Sequence, residues 1–245
     1  MGDGMEDVDA TEGSTPDFEG LRAALLAAAA TADPTERLLE VAAVIAEALS
    51  DLNLEPVVVG GLALAYWADS CDIITSDIDV VVPRAPELAE RLARLGFEQH
   101  GREWLLPGFE VAFEAPDEVL QPGDKGEWAE LASGRKVKIL SIEDMLLWRL
   151  REWVFWHHAS GFRHAAHLLV SEQLDSECLD RRAVEEGLDL AVAELRRLTG
   201  EVEAGHSFEE WELAEAGKRI EQQSFGGASP REGYSPRGDD PGFRR

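Results

Sequence analysis

An Asp-Ile-Asp triplet at 77–79 has the residue types and spacing that a metal site uses. On a β-strand, residues two apart project from the same face, so the carboxylates of Asp77 and Asp79 converge while Ile78 packs into the core. Two carboxylates in this arrangement provide oxygen ligands for a hard cation such as Mg²⁺. Three valines follow at once, and because charge at the mouth of a buried strand is costly without a partner, the triplet favours a metal site over two solvated aspartates.

A Gly-Gly pair upstream could bind phosphate. A β-branched run at 57–59 leads into Gly60 and Gly61, and a helical segment follows. Bare backbone N–H groups at a helix N-terminus bind phosphate oxygens, and a side chain there would block close approach. Such a pair, taken alone, is more often just a tight strand-to-helix turn. Thr75 and Ser76 add two hydroxyls that could bind phosphate or cap the turn before Asp77.

A third carboxylate is available from the segment FEVAFEA (109–115). Its apolar and acidic residues alternate at period two, which is typical of a strand with two distinct faces. Glu110 and Glu114 would share one face with Ala112, and a neighbouring strand could offer either glutamate to the aspartate pair. The same pattern would also suit an edge strand with a solvated polar face.

The elements that must position these residues predict an α/β chain. We expect strands at 57–59, 78–82, 97–106 (a strand or hairpin), 109–115 and 136–140. Helices are predicted over 18–30, from Asp33-Pro34, from the Gly-Gly pair, over 86–95 with Gly96 as terminator, from the N-cap Ser141, and from about residue 161 to residue 223. The sheet would be short, mixed and flanked by helices, with a helical region after it.

Together, in this order and spacing, the Gly-Gly turn, Asp-x-Asp and a carboxylate on a later strand resemble the nucleotidyltransferase superfamily of DNA polymerase β over roughly residues 55 to 116. The segment VVVGGLALAYW…TSDIDVVV is similar to small prokaryotic nucleotidyltransferase-like proteins, some of which belong to toxin–antitoxin or phage-defence systems of the AbiEii type. EAPDEVLQPGD and KVKILSIEDMLLWRL resemble later segments of that group. Because EAPDEVLQPGD begins at Glu114, its match to that group selects Glu114 over Glu110 as the third carboxylate.

The resemblance implies a nucleotidyltransferase fold and a Mg²⁺-dependent, two-metal transfer of a nucleoside monophosphate from an NTP to a hydroxyl acceptor. The acceptor would be a small molecule, a protein side chain or an RNA end. Asp77 and Asp79 would hold Mg²⁺ against the triphosphate, and Glu114 would complete the site and help to deprotonate the acceptor. The implied nucleotide-binding residues are Gly60, Gly61, Thr75 and Ser76.

A second hypothesis is a catalytically degenerate nucleotidyltransferase fold that acts as an interaction module with a protein partner, for instance in a toxin–antitoxin or defence system. The resembled group tends to carry an Arg two positions before the Thr, where this chain has Ile73, and an acidic residue before the helix Arg, where it has Trp148. These two departures favour the interaction module. The complete set of glycines, aspartates and Glu114 favours the enzyme.

The chain divides, by this interpretation, into four parts: a disordered acidic leader (1–16), a nucleotidyltransferase-like domain with N-terminal helices (17–140), a helical region (141–223) and a disordered tail (224–245). The residues before Asp17 lack the basic and apolar regions of a signal peptide. No apolar run approaches the ~18–20 residues needed to cross a bilayer. We therefore expect a cytoplasmic protein without a membrane partner.

The charge of the chain bears on its substrate. Twenty-three Lys and Arg stand against 49 Asp and Glu, a formal net charge of −26. Such an acidic chain repels a nucleic acid backbone unless its cations cluster, which argues mildly against an RNA acceptor. Cys71 and Cys178 lack CxxC spacing and predict neither a disulfide framework nor a zinc knuckle. Four histidines at 157, 158, 164 and 167 accompany several aromatic residues and indicate helix packing or a substrate-facing surface rather than zinc.

Overall fold

The computed structural model describes residues 16–68, 73 and 75–226. Its helices are α1 (Phe18–Ala29), α2 (Pro34–Leu49), α3 (Gly60–Trp67), α4 (Pro86–Leu95), α5 (Ile142–Trp156), α6 (Ala159–Leu169), α7 (Ser176–Glu186), α8 (Asp189–Glu203) and α9 (Glu210–Phe225). Its strands are β1 (Val57–Val58), β2 (Asp77–Val81), β3 (Glu98–His100), β4 (Glu103–Leu105), β5 (Ala112–Asp117), β6 (Gly126–Glu130) and β7 (Lys136–Leu140). The expected leader, except for Pro16, lies outside the described residues. So do Cys71 and the expected tail beyond Gly226.

The seven strands of the described chain form one mixed sheet in the order β3-β4-β5-β2-β1-β7-β6. β2 pairs parallel with β5, and β1 pairs parallel with β7. The other neighbours are antiparallel, including the central pair β1 and β2. The predicted class, a mixed sheet accompanied by helices and followed by a helical region, is confirmed.

The buried side of the central strands is apolar. Ile78 and Phe113 are register partners across β2 and β5, and both are buried. Trp104 on β4 continues this row opposite Phe113. Because side chains alternate along a strand, residues 77, 79 and 114 point to the other face of the sheet. The alternation predicted for Asp77-Ile78-Asp79 therefore follows from the burial of Ile78.

Local signals in the sequence set several element ends. The Asp33 carboxylate accepts a hydrogen bond from the Glu36 backbone N–H (2.8 Å) and caps α2, whose first residue is Pro34. Gly96 ends α4 with a φ of +106°, a conformation that favours glycine. Ser141 caps α5 by accepting from the Asp144 N–H (3.3 Å). These helix ends were predicted at the same residues.

Helix α5 is the centre of the helical region and packs against α6, α7, α8 and α9. Trp153 is completely buried, and its indole N–H donates to the Leu213 carbonyl of α9 (2.7 Å). A Cβ added at Gly217 would lie 2.4 Å from the Trp153 carbonyl oxygen, so α9 approaches α5 as closely as a glycine permits. Of the described helices, none is both long and apolar enough to cross a membrane.

Two strands differ from the sequence expectation. The strand predicted over 109–115 begins at Ala112 and continues to Asp117, because Phe109 N–H bonds back to the Leu106 carbonyl in a turn. Glu110 therefore lies in the turn and not on the strand face that it was expected to share with Glu114. Strand β6 was not predicted. It forms by antiparallel pairing with β7 across the turn at 131–135.

Candidate functional site

The Gly-Gly turn lies against the second aspartate of the triplet. Val59 N–H donates to the Asp79 carbonyl (2.9 Å), which brings the start of α3 alongside β2. Gly60 has a φ of +65°, and a Cβ there would lie 2.6 Å from Asp79 Oδ2. A Cβ at Gly61 would lie 3.3 Å from the Thr75 Cβ. The turn is therefore a close-packed cradle in which the backbone N–H groups of the first turn of α3 stand beside a carboxylate.

The residues before Asp77 are held by a local hydroxyl turn. The Thr75 hydroxyl accepts from the Asp77 N–H and donates to the Asp77 carbonyl, both at 3.2 Å. The Ser76 hydroxyl donates to Asp77 Oδ1 (3.1 Å). Both hydroxyls thus orient the entry to β2. Of the two alternatives left open by the sequence, the capping role is the one that these hydrogen bonds display.

Glu114 lies beside Asp79 on the neighbouring strand. The two residues are register partners in the parallel β2–β5 pair, so their side chains leave the same face of the sheet. On the other side of β5, Glu103 of β4 stands directly opposite Glu114. A row of carboxylates therefore crosses three strands, and Glu103 is a member that the sequence analysis missed. The Pro107-Gly108 turn between β4 and β5 is the local signal that could have revealed it, because a short turn pairs the two strands that it joins.

Glu114 has a cationic neighbour in Arg102, whose Nη2 lies 3.4 Å from Glu114 Oε1. Arg102 follows Gly101 in the turn between β3 and β4. Its side chain is 81% exposed, whereas that of Glu114 is 29% exposed. The third carboxylate of the predicted site is thus paired with an arginine at the edge of the carboxylate row.

The chemistry of Asp77, Asp79 and Glu114 fits Mg²⁺, since all three offer carboxylate oxygens from one sheet face beside a cradle that a Cβ would fill. Within the described ranges, an acidic triad whose carboxylate oxygens all lie within 4.8 Å of one another is formed elsewhere, by Asp124, Asp144 and Glu186. For Glu114 to join a shared ion, its carboxylate must leave Arg102.

The triad of Asp124, Asp144 and Glu186 surrounds a guanidinium. Arg182 Nε donates to Asp144 Oδ1 (3.0 Å), and its Nη2 donates to Asp124 Oδ1 (3.0 Å) and Glu186 Oε1 (2.7 Å). Arg151 also pairs with Glu186. The spacing would suit a metal ion, but the positive charge among these carboxylates is supplied by Arg182, so the cluster serves as a charged junction between the β5–β6 connection, α5 and α7.

Burial changes the acidity of this junction. The Asp124 side chain has no exposed surface. Burial raises its pKa to about 6, against the lowering effect of a hydrogen bond from the Trp148 indole N–H (2.8 Å). Burial also raises the pKa of Glu186. Asp124 and Glu186 therefore take up protons at a higher pH than ordinary carboxylates do.

The two departures from the resembled group have structural explanations. Ile73, where the resembled group tends to carry an Arg, packs against the hydrophobic core. Trp148, at the position of the acidic residue, donates its indole N–H to Asp124 in the junction. Arg149 pairs with Glu152 one turn further along α5 (2.9 Å). Both departing residues thus support the fold.

A groove among the described residues lies elsewhere. It measures about 460 Å³ and is lined by α2, α3 and the β6–β7 turn, with Asp33, Glu36, Tyr66 and Glu130 among its residues. None of the predicted site residues lines it.

The fold and this face together define a mixed α/β protein with a glycine cradle and a row of carboxylates where β2, β4 and β5 meet. No protein-family model and no curated protein matches the chain. Among solved structures, an antigenic nucleotidyltransferase-like protein from Paracoccidioides brasiliensis is similar, with 21% identity, a TM-score of 0.46, and coverage of 65% of this chain and 92% of that chain. The antibiotic-resistance factor ANT(2'')-Ia is similar with 18% identity, a TM-score of 0.36, and coverage of 76% and 97%.

Proposed function

We propose that the chain is a Mg²⁺-dependent nucleotidyltransferase that transfers a nucleoside monophosphate from an NTP to a hydroxyl acceptor and releases pyrophosphate. The observation that carries the proposal is the contact of the Gly60 turn with Asp79, with Glu114 level with Asp79 on the next strand. A phosphate cradle and a set of oxygen ligands thus lie side by side on one sheet face. This is the arrangement that the Gly-Gly and Asp-x-Asp motifs lead one to expect.

The protein groups have separate roles in this proposal. The N–H groups at the start of α3 bind the β- and γ-phosphates, because an unpaired helix N-terminus attracts anions. Thr75 and Ser76 hold the backbone and the side chain of Asp77 at the entry to β2. Glu114 accepts the proton of the acceptor hydroxyl, and this requires its carboxylate to be released from Arg102.

Asp77, Asp79 and Glu114 would hold Mg²⁺, which supplies neutralisation of phosphate charge and activation of the attacking hydroxyl when bound. The protein itself contributes mainly position, since the burial of Ile78 fixes which way the two aspartates point. A net charge of −26 favours an acceptor that is not a long polyanion.

The test is calorimetric titration of the full chain with ATP, GTP, CTP and UTP in the presence of Mg²⁺. We expect at least one nucleotide to bind, and an Asp77→Asn/Asp79→Asn variant to bind it at least about tenfold more weakly, because charged ligands are lost from the site. Omitting Mg²⁺ should weaken binding to the native protein in the same way.

The matched control is Glu127→Gln/Glu130→Gln, which removes two carboxylates from β6 at the far edge of the sheet. This variant should bind nucleotide like the native chain. If the folded native protein binds none of the four nucleotides, the proposal is wrong, and a search for a protein partner would follow. Equal weakening in both variants would mean that overall charge, not the site, governs binding.

A further inference from the structure

We infer that Arg102 is a nucleotide-binding residue that exchanges partners, pairing with Glu114 before the site is loaded and with the triphosphate once a metal ion engages Glu114. The inference rests on the proposed function and adds to it a phosphate-binding residue, on the opposite side of the site from the Gly60 turn. Neither the aspartate triplet nor the Gly-Gly motif implies such a residue.

The sheet fixes the position of the Arg102 backbone, whereas the Arg102 side chain extends into solvent. Strand β4 begins at the next residue, and Glu103 stands opposite Glu114 in the antiparallel β4–β5 pair. The backbone of Arg102 is thereby anchored one strand away from the carboxylate that its guanidinium contacts at 3.4 Å. Gly101, with a φ of +67° and no atom within 4 Å of an added Cβ, forms the turn before it.

The ion pair of Arg102 with Glu114 is of a kind that breaks easily. The arginine side chain is 81% exposed, and exposed ion pairs contribute little because water solvates both partners when they separate. The shared carboxylate, by contrast, has a stronger alternative partner in a divalent cation, whose charge is twice as large and whose approach is closer. Metal binding at Glu114 would therefore release the guanidinium.

A triphosphate that binds on this face needs a positively charged side chain such as the released guanidinium of Arg102. Asp77, Asp79 and Glu114 are joined by Glu103 in the same row, so the face is rich in negative charge. Ile73, two positions before Thr75, packs on the core and supplies no positive charge to this face. A guanidinium presents paired N–H donors that match phosphate oxygens. A triphosphate that extends from the Gly60 turn to Glu114 would reach Arg102, because Arg102 contacts Glu114. The released guanidinium would therefore lie beside this ligand.

Two titrations of Arg102→Ala separate this role from a structural one, because its affinity for a metal ion should rise while its affinity for nucleotide should fall. Mn²⁺ alone, as a magnetic probe of the metal site, should bind Arg102→Ala about threefold or more tightly than the native chain, since a competing cation is gone. The tightest-binding NTP, at fixed Mg²⁺, should bind the same variant about tenfold more weakly. For both ligands, the affinity of Arg102→Lys should lie between those of the native chain and Arg102→Ala, because an ammonium keeps the charge and loses the paired donors.

Arg84→Ala is the control, since Arg84 is 85% exposed and pairs with Glu118 (3.0 Å) at the far end of β2 and β5. It should change neither titration. Native-like binding of both ligands by Arg102→Ala would overturn the inference while leaving the proposed function intact, and so would a loss of both affinities, which would indicate a structural role. Failure of the native chain to bind nucleotide would instead overturn the proposed function.

Discussion

Gly60 packs against Asp79, whose carboxylate occupies the space that a side chain at position 60 would need. An added Cβ would lie 2.6 Å from Asp79 Oδ2, and the φ of +65° is strained for any other residue. Gly60→Ala should therefore displace the carboxylate, lower the unfolding free energy by about 1–3 kcal/mol and weaken nucleotide binding at least about tenfold. Urea unfolding and calorimetric titration measure the two effects.

Gly134→Ala is the control for Gly60→Ala. Gly134 has a φ of +80°, and no atom lies within 4 Å of an added Cβ. The substitution carries the backbone strain of a positive φ without a contact at the site. It should reduce stability by about 1 kcal/mol and leave nucleotide binding unchanged. Equal loss of nucleotide binding in the two variants would show that the contact between Gly60 and Asp79 is not what nucleotide binding requires.

Close packing of α9 on α5 predicts a second pair of outcomes. A Cβ at Gly217 would lie 2.4 Å from the Trp153 carbonyl oxygen, so Gly217→Ala must push the helices apart and should destabilise the protein by about 1–3 kcal/mol. Gly200 in α8 has no atom within 4 Å of an added Cβ, and Gly200→Ala should be neutral or stabilising by up to about 1 kcal/mol. Thermal unfolding of both variants is the measurement, and destabilisation of similar size in each would contradict the close approach.

Arg182 should be essential to stability because it neutralises three carboxylates in a buried position. Its side chain is 7% exposed, and Arg182→Met would leave Asp124, Asp144 and Glu186 without their common partner. We expect a loss of about 3–5 kcal/mol in chemical unfolding near neutral pH. Arg196→Met removes an exposed pair with Asp180 and should cost at most about 1 kcal/mol. A small effect of Arg182→Met would show that the carboxylates are neutralised in another way.

The raised pKa of Asp124 predicts a pH dependence of stability. Its pKa is about 6 in the folded protein against 3.8 for an ordinary aspartate, so between these values the folded state binds more protons than the unfolded state. Stability from this group is therefore greatest at low pH and is lost as the pH rises through about 6. The unfolding free energy of the native chain should fall relative to Asp124→Asn by roughly 2 kcal/mol between about pH 4 and pH 7. Parallel pH profiles of the two proteins would contradict the shift.

Local sequence predicted much of the secondary structure for physical reasons that act over a few residues. Alternation at period two placed Ile78 in the core and turned Asp77 and Asp79 to the opposite face, and the structure has this arrangement. Asp33, Ser141 and Gly96 marked helix ends because capping depends on hydrogen bonds and backbone angles within a single turn.

Strand neighbours could not be derived from the residues in the same way. Alternation in FEVAFEA left Glu110 and Glu114 equivalent, and the resemblance selected Glu114. The structure places Glu110 in a turn and pairs Asp79 with Glu114, because β5 begins only at Ala112. The assignment of Glu114 as a metal ligand stays a prediction that the titrations above address.

The sequence by itself determined the α/β class, the glycine turn, the facing aspartates and the acidic character of the chain, because each depends on composition or on neighbouring residues. Tertiary structure alone decided that Arg102 meets Glu114 and that Arg182 gathers Asp124, Asp144 and Glu186. Arg182 lies 58 positions from Asp124 and 38 from Asp144. Contacts at such separations depend on which packed arrangement buries the apolar faces of strands and helices together, and no local pattern specifies that choice.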